Sequence, residues 1–84
     1  MKIKDKVAVI TGASSGIGYA IAKRLFNEGV VVYDISRTVR QHSEIKEAFA
    51  CDVNDTDKVD GILSAIFEKE GRIDIFINNA GFGI

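Results

Sequence analysis

The sequence predicts an α/β fold built on a doubly wound parallel sheet, on three observations. Short apolar runs rich in β-branched residues recur along the chain, led by Val7-Ala8-Val9-Ile10 and Val30-Val31-Val32-Tyr33-Asp34-Ile35. Segments with apolar residues at helical spacing separate these runs. Between the first run and the first helical segment lies Thr11-Gly12-Ala13-Ser14-Ser15-Gly16-Ile17-Gly18, whose glycines permit a sharp exit from a strand into a helix.

The first strand is expected at Val7–Ile10, where an unbroken apolar run implies burial on both faces. The helix behind it is expected to present Ile17, Ala20, Ile21 and Leu25, and to stop at Asn27-Glu28-Gly29, with Gly29 in the left-handed position past the end. Val30–Ile35 is the second strand, so the opening unit is strand, helix, strand, a right-handed parallel crossover. Ser36–Lys46 is polar and aperiodic, a loop or one short helix, and Glu47–Cys51 is a weaker third strand. From Asn54 the pattern turns helical, with Asn54 as N-cap, Asp57 at N3, and Val59, Ile62, Leu63, Ile66 and Phe67 as the apolar face. Gly61 weakens that helix by about 1 kcal/mol relative to Ala, and Gly71 ends it. Ile73–Ile77 is the fourth strand, followed by Asn78-Asn79-Ala80-Gly81 at its carboxyl end.

Composition narrows the function. The 84 residues suit one small domain, and 46% hydrophobic with 27% charged residues is ordinary for a soluble globular chain. A net charge of -1 without a Lys/Arg block gives no footprint for nucleic acid or an anionic membrane, so neither is an expected partner. The basic N-terminus is followed by only four apolar residues before Thr11-Gly12, too few for a signal peptide or a membrane span. The single Cys51 cannot form an internal disulfide, and no Cys/His cluster has zinc spacing. A cytoplasmic location and no metal site are therefore expected.

The glycine spacing, Gly-x-x-x-Gly-x-Gly, differs from Gly-x-Gly-x-x-Gly, and Tyr19 after Gly18 excludes a P-loop. The unpaired N–H groups and positive dipole end of a helix opening at such a loop form a natural seat for a pyrophosphate. With the preceding Thr, residues 11–18 resemble the TGxxxGxG cofactor loop of the short-chain dehydrogenase/reductase family, and Asn78–Gly81 is similar to that family's NNAG motif. For Asn78–Gly81 alone a strand end and turn is the simpler reading; the two motifs together favour the family.

The resemblance implies a partial Rossmann-like fold, about four strands in the order 3-2-1-4 with the second half absent. Residues 1–84 would then be the dinucleotide-binding half of a truncated domain. It further implies that Gly12, Ser14, Ser15, Gly16, Ile17 and Gly18 hold the pyrophosphate and that Asn79, Ala80 and Gly81 border the ribose. Asp52 and Val53 would contact adenine; Asp52 capping the next turn is the plainer alternative, and the two roles can coexist. Counted from Gly18, the family's cofactor-selecting positions fall on Ser36 and Arg37 and not on Asp34. A hydroxyl beside a guanidinium suits a 2'-phosphate, favouring NADP(H) over NAD(H); a solvated Arg37 is the plainer alternative.

Tyr19-Ala20-Ile21-Ala22-Lys23 matches the family's catalytic Tyr-x-x-x-Lys spacing, but it lies on the wrong helix and is set aside as coincidence. Tyr33, His42 and Cys51 read as a strand aromatic, a loop imidazole and a small buried hydrophobe. The family's catalytic Ser, Tyr and Lys fall beyond Ile84, so no catalytic residue is assigned. The expected function is the NADP(H)-binding portion of a reductase acting on a carbonyl or alcohol. The alternatives are a non-catalytic dinucleotide-binding module and a structural remnant. An uncovered fourth strand, with Ile73, Ile75 and Ile77 on one face and Phe76 on the other, predicts self-association or a place in a larger assembly.

Overall fold

The computed structural model describes residues 3–79. Strand β1 (Val7–Thr11) leads into helix α1 (Gly16–Asn27), then strands β2 (Val31–Ser36) and β3 (Glu47–Ala50), helix α2 (Thr56–Glu70) and strand β4 (Ile75–Asn78). The strands form one parallel sheet in the order β3-β2-β1-β4. In register, Ile10 lies beside Asp34 of β2 and Ile77 of β4, which brings the carboxyl ends of all the strands to one rim.

The two faces of the sheet are covered by different helices. Ala8, Ile10 and Val32 pack with Ala22 of α1, while Val9, Tyr33 and Ile35 pack with Ile66 of α2. Every residue of β1 is buried, as its continuous apolar run requires of a central parallel strand. Gly29 and Gly71 both take the left-handed conformation beyond their helices, at φ 88° and 78°.

Several local expectations are corrected. The buried stripe of α1 is Gly18, Ala22 and the half-buried Ile21 and Leu25, whereas Ile17 and Ala20 face outward. Small residues bring the helix close to the sheet, and that closeness decides which stripe is buried. The N-cap of α2 is Asp55, which accepts from Lys58 N–H at 3.2 Å; Asn54 instead donates its N–H to Asp52 at 2.9 Å. Phe67 is exposed, off the face formed by Val59, Ile62, Leu63 and Ile66. Strand β2 extends to Ser36, β3 ends at Ala50, and β4 begins only at Ile75, so Ile73 packs on the α2 side while Ile75 and Ile77 pack on the α1 side. Residues 37–46 form a loop without a helix.

Candidate functional site

The glycine loop leaves β1 at Gly12, where φ is 73°. Its N–H donates to Ile35 O at 2.9 Å, which turns the chain over the end of β2. Gly18 marks the closest approach of helix to loop: a Cβ there would stand 2.0 Å from Gly12 O. Helix α1 opens at Ser15, an extended N-cap whose side chain makes no capping bond, and its first turn carries no acidic residue. Ser15, Gly16 and Ile17 are exposed. The positive end of the helix therefore meets solvent without a side chain across it.

Three neighbours hold the loop. From below, Asp34 Oδ1 accepts the Ala13 N–H at 2.8 Å and the Ser36 hydroxyl at 2.6 Å. From β4, the Asn79 N–H donates to Thr11 Oγ1 at 2.9 Å, Thr11 donates to Asn78 Oδ1 at 3.1 Å, and Asn79 Nδ2 reaches Gly12 O at 3.2 Å. From the side, Ser14 Oγ donates to Thr38 O at 3.0 Å and His42 Nε2 lies 2.9 Å from Ser14 O. The carboxyl-end segments of β1, β2 and β4 thus share one bonded rim.

A cleft opens along that rim. It is lined by Gly12, Ser14 and Ser15 of the glycine loop, by Ser36, Arg37 and Thr38 after β2, and by Cys51, Asp52, Val53 and Asn54 after β3. Gly16, Ile17, Gly18 and Asn79 lie outside this lining, with Gly18 buried under the loop and Ile17 projecting to solvent. Ala80 and Gly81 lie outside the described residues. Asp52 accepts the Asn54 N–H at 2.9 Å, closing the turn, and pairs with Arg37 at 3.2 Å. The Asn54 N–H and then the Arg37 guanidinium hold its carboxyl below the ordinary range. The Arg37–Asp52 pair is exposed, so separating it costs little.

Tyr19 is engaged elsewhere. Its ring stacks on His42 with centroids 4.1 Å apart, and its hydroxyl donates to Glu44 at 3.0 Å. That bond pushes the phenol up, the wrong direction for a general base. Tyr33 is fully buried and donates to Glu70, which Lys46 also engages at 2.6 Å. Cys51 is buried, and among the described residues no group of His, Cys, Asp or Glu could hold a metal ion. No helix among the described residues is long and apolar enough to cross a membrane.

Sequence reasoning set Asp34 aside and did not foresee its hold on the loop. The available signal was an acidic residue inside an otherwise apolar buried strand, which needs a specific partner. The contacts of Ser14 with Thr38 and His42 of the 37–46 loop have no local signal.

A parallel sheet wound on both faces, with an open helix mouth and a cleft at its carboxyl rim, defines a nucleotide-binding class of α/β protein. The model of the short chain dehydrogenase family matches residues 6–84, and this chain belongs to that family. It is 40% identical over 87 residues to an uncharacterized oxidoreductase of Staphylococcus epidermidis, covering 95% of this chain and 38% of the relative. The ligand-free aldohexose dehydrogenase of Thermoplasma acidophilum superposes with a TM-score of 0.86 at 39% identity, over 92% of this chain and 30% of that one. The 3-ketoacyl-(acyl-carrier-protein) reductase of Brucella melitensis, solved with NADH, gives 0.79 at 32% identity, over 88% and 33%. The chain thus spans about a third of the length of these relatives.

Proposed function

We propose that residues 1–84 are the dinucleotide-binding half of a short-chain dehydrogenase domain, and that they bind NADP(H) in preference to NAD(H). In the complete form, hydride passes between the nicotinamide and a carbonyl or alcohol; no catalytic role is assigned to any residue here. The observation that carries this reading is the uncapped, acid-free mouth of α1, which opens beside the cleft between the glycine loop and Arg37. In that cleft the first N–H groups of α1 meet the pyrophosphate, and Asp52 and Val53 meet the adenine. The exposed Arg37 swings from Asp52 to the 2'-phosphate, a charge-assisted contact worth about 1.5–3 kcal/mol.

Calorimetric titration with NADPH and NADH tests this. NADPH should bind more tightly, and Arg37→Ala should weaken it about tenfold or more while sparing NADH. Equal loss of both would remove Arg37 from its role, and binding of neither cofactor to the unaltered chain would overturn the whole reading.

We further propose a cytoplasmic protein that self-associates or joins a larger assembly through β4. Phe76 on β4 and Phe67 on α2 are 49% and 56% exposed, large apolar groups that favour being covered. Elution as a monodisperse 9.2 kDa monomer in size exclusion would refute the association.

A further inference from the structure

Asp34 is the only buried carboxylate among the described residues, and the proposal above gives it no part in choosing a ligand. Its Oδ1 accepts from Ser36 Oγ and from the Ala13 N–H, while Oδ2, also buried, has no hydrogen-bond partner among the described residues. A serine hydroxyl has a single proton to donate. Ser36 spends it on Asp34, at 2.6 Å, and so offers the cleft only lone pairs. An acceptor backed by a carboxylate suits a hydroxyl donor and repels a phosphate oxygen.

We infer that Asp34 is a positioning residue that sets cofactor selectivity through Ser36: by fixing the Ser36 hydroxyl it favours a ribose 2'-hydroxyl and opposes the pull of Arg37 on a 2'-phosphate. This rests on the dinucleotide reading and deepens it. Two devices of opposite preference stand side by side at the end of β2, and Asp34 sets the balance between them. The same carboxylate anchors the glycine loop through Ala13, but that role acts on the pyrophosphate, which both cofactors share. Loss of the anchor moves both affinities together; release of the Ser36 hydroxyl moves their ratio.

The test is titration of the unaltered chain, Asp34→Leu, Asp34→Asn, Ser36→Ala and the Asp34→Leu/Ser36→Ala double variant with NADPH and with NADH. Asp34→Leu frees the hydroxyl to donate, and the NADPH:NADH affinity ratio should rise about tenfold, whatever the common loss. Asp34→Asn keeps an acceptor oxygen but no charge, and should raise the ratio in the same direction by a smaller factor. In the Ser36→Ala background, Asp34→Leu should leave the ratio unchanged.

A ratio unmoved by Asp34→Leu, with both cofactors still bound, overturns the inference. So does a rise that persists in full without the Ser36 hydroxyl, since that would be direct charge repulsion. Where Asp34→Leu loses its far-ultraviolet helical signal, the Asn variant decides, and an unchanged ratio there sinks the idea. If the unaltered chain binds neither cofactor, the underlying proposal fails first and carries this one with it.

Discussion

Substituting Gly18 by Ala adds one methyl group where a described glycine has the least room. The new Cβ would stand 2.0 Å from Gly12 O, 2.8 Å from Gly12 C and 2.7 Å from Asn79 Nδ2, where real Cβ contacts essentially never fall below 3.0 Å. Helix and loop must therefore separate by at least about 1 Å at this contact. Two of the obstructing atoms are backbone, and Gly12 O is itself held by Asn79, so neither side yields cheaply.

Overpacking of this kind costs about 1–3 kcal/mol, and the better helix propensity of Ala returns about 1 kcal/mol. The net loss of about 1 kcal/mol lowers Tm by roughly 4–8 °C in a domain of this size. Binding should suffer more than stability. Hydrogen bonds from N–H groups tolerate only about 2.7–3.2 Å, so a displacement of 1 Å or so breaks charge-assisted bonds to a phosphate and weakens cofactor binding at least about tenfold.

Gly61→Ala is the control, because nothing lies within 4 Å of its Cβ position in the interior of α2. It should raise Tm by roughly 4–8 °C, from about 1 kcal/mol of helix propensity, and leave binding unchanged. Calorimetric titration and thermal melts read both variants. A Gly18→Ala chain that binds cofactor within twofold of the original would refute the close-packing argument, as would a Gly61→Ala chain that melts as early as Gly18→Ala.

Thr11→Val should destabilise by about 0.5–1.5 kcal/mol in urea denaturation, because it removes the bonds to the Asn79 N–H and Asn78 Oδ1; an unchanged midpoint would show that the Thr11 hydroxyl does not tie β4 to β1. Both tyrosines are pushed above their ordinary value of 10.0, Tyr33 by burial and then by Glu70, and Tyr19 by its bond to Glu44. Near-ultraviolet titration should accordingly show both tyrosines of the folded chain ionising at higher pH than those of the urea-unfolded chain, Tyr33 last; the stability tied to Tyr33 is fully present below pH 10 and lost as pH rises through its folded value. Glu70 is held below its ordinary 4.5 by Lys46 and then Tyr33, so its contribution is complete above pH 4.5 and lost as pH falls through the lowered value. Glu70→Gln should flatten that acid limb in denaturation curves taken below pH 4.5, and an unaltered acid profile would remove Glu70 from it.

The architecture is legible because parallel strands covered on both faces leave continuous apolar runs: β1 is apolar up to Thr11, and β2 departs from the pattern only at Asp34 and Ser36. The glycine loop was legible because its spacing sits between a strand and a helix. The buried stripe of α1 was misread for a physical reason: hydrophobic spacing weights Ile17, but the contact is made where Gly18 and Ala22 admit the sheet. At the start of α2, Asn54 and Asp55 are both competent caps, and the Asp52 turn that claims the Asn54 N–H decides between them. An acid inside the apolar strand β2 signals that Asp34 needs a partner, but nothing local identifies that partner as the loop after β1 folding back over it. The stack of His42 on Tyr19 joins residues with no common periodicity, so only tertiary packing discloses it.

Thr11 and Gly12 meet Asn78 and Asn79 across 67 or 68 positions of sequence. The glycine loop that follows β1 is therefore held by residues of β4 far along the sequence, and these bonds cannot form until β4 has paired with β1. A polypeptide folded only as far as β3 would have the loop but not the clasp that holds it.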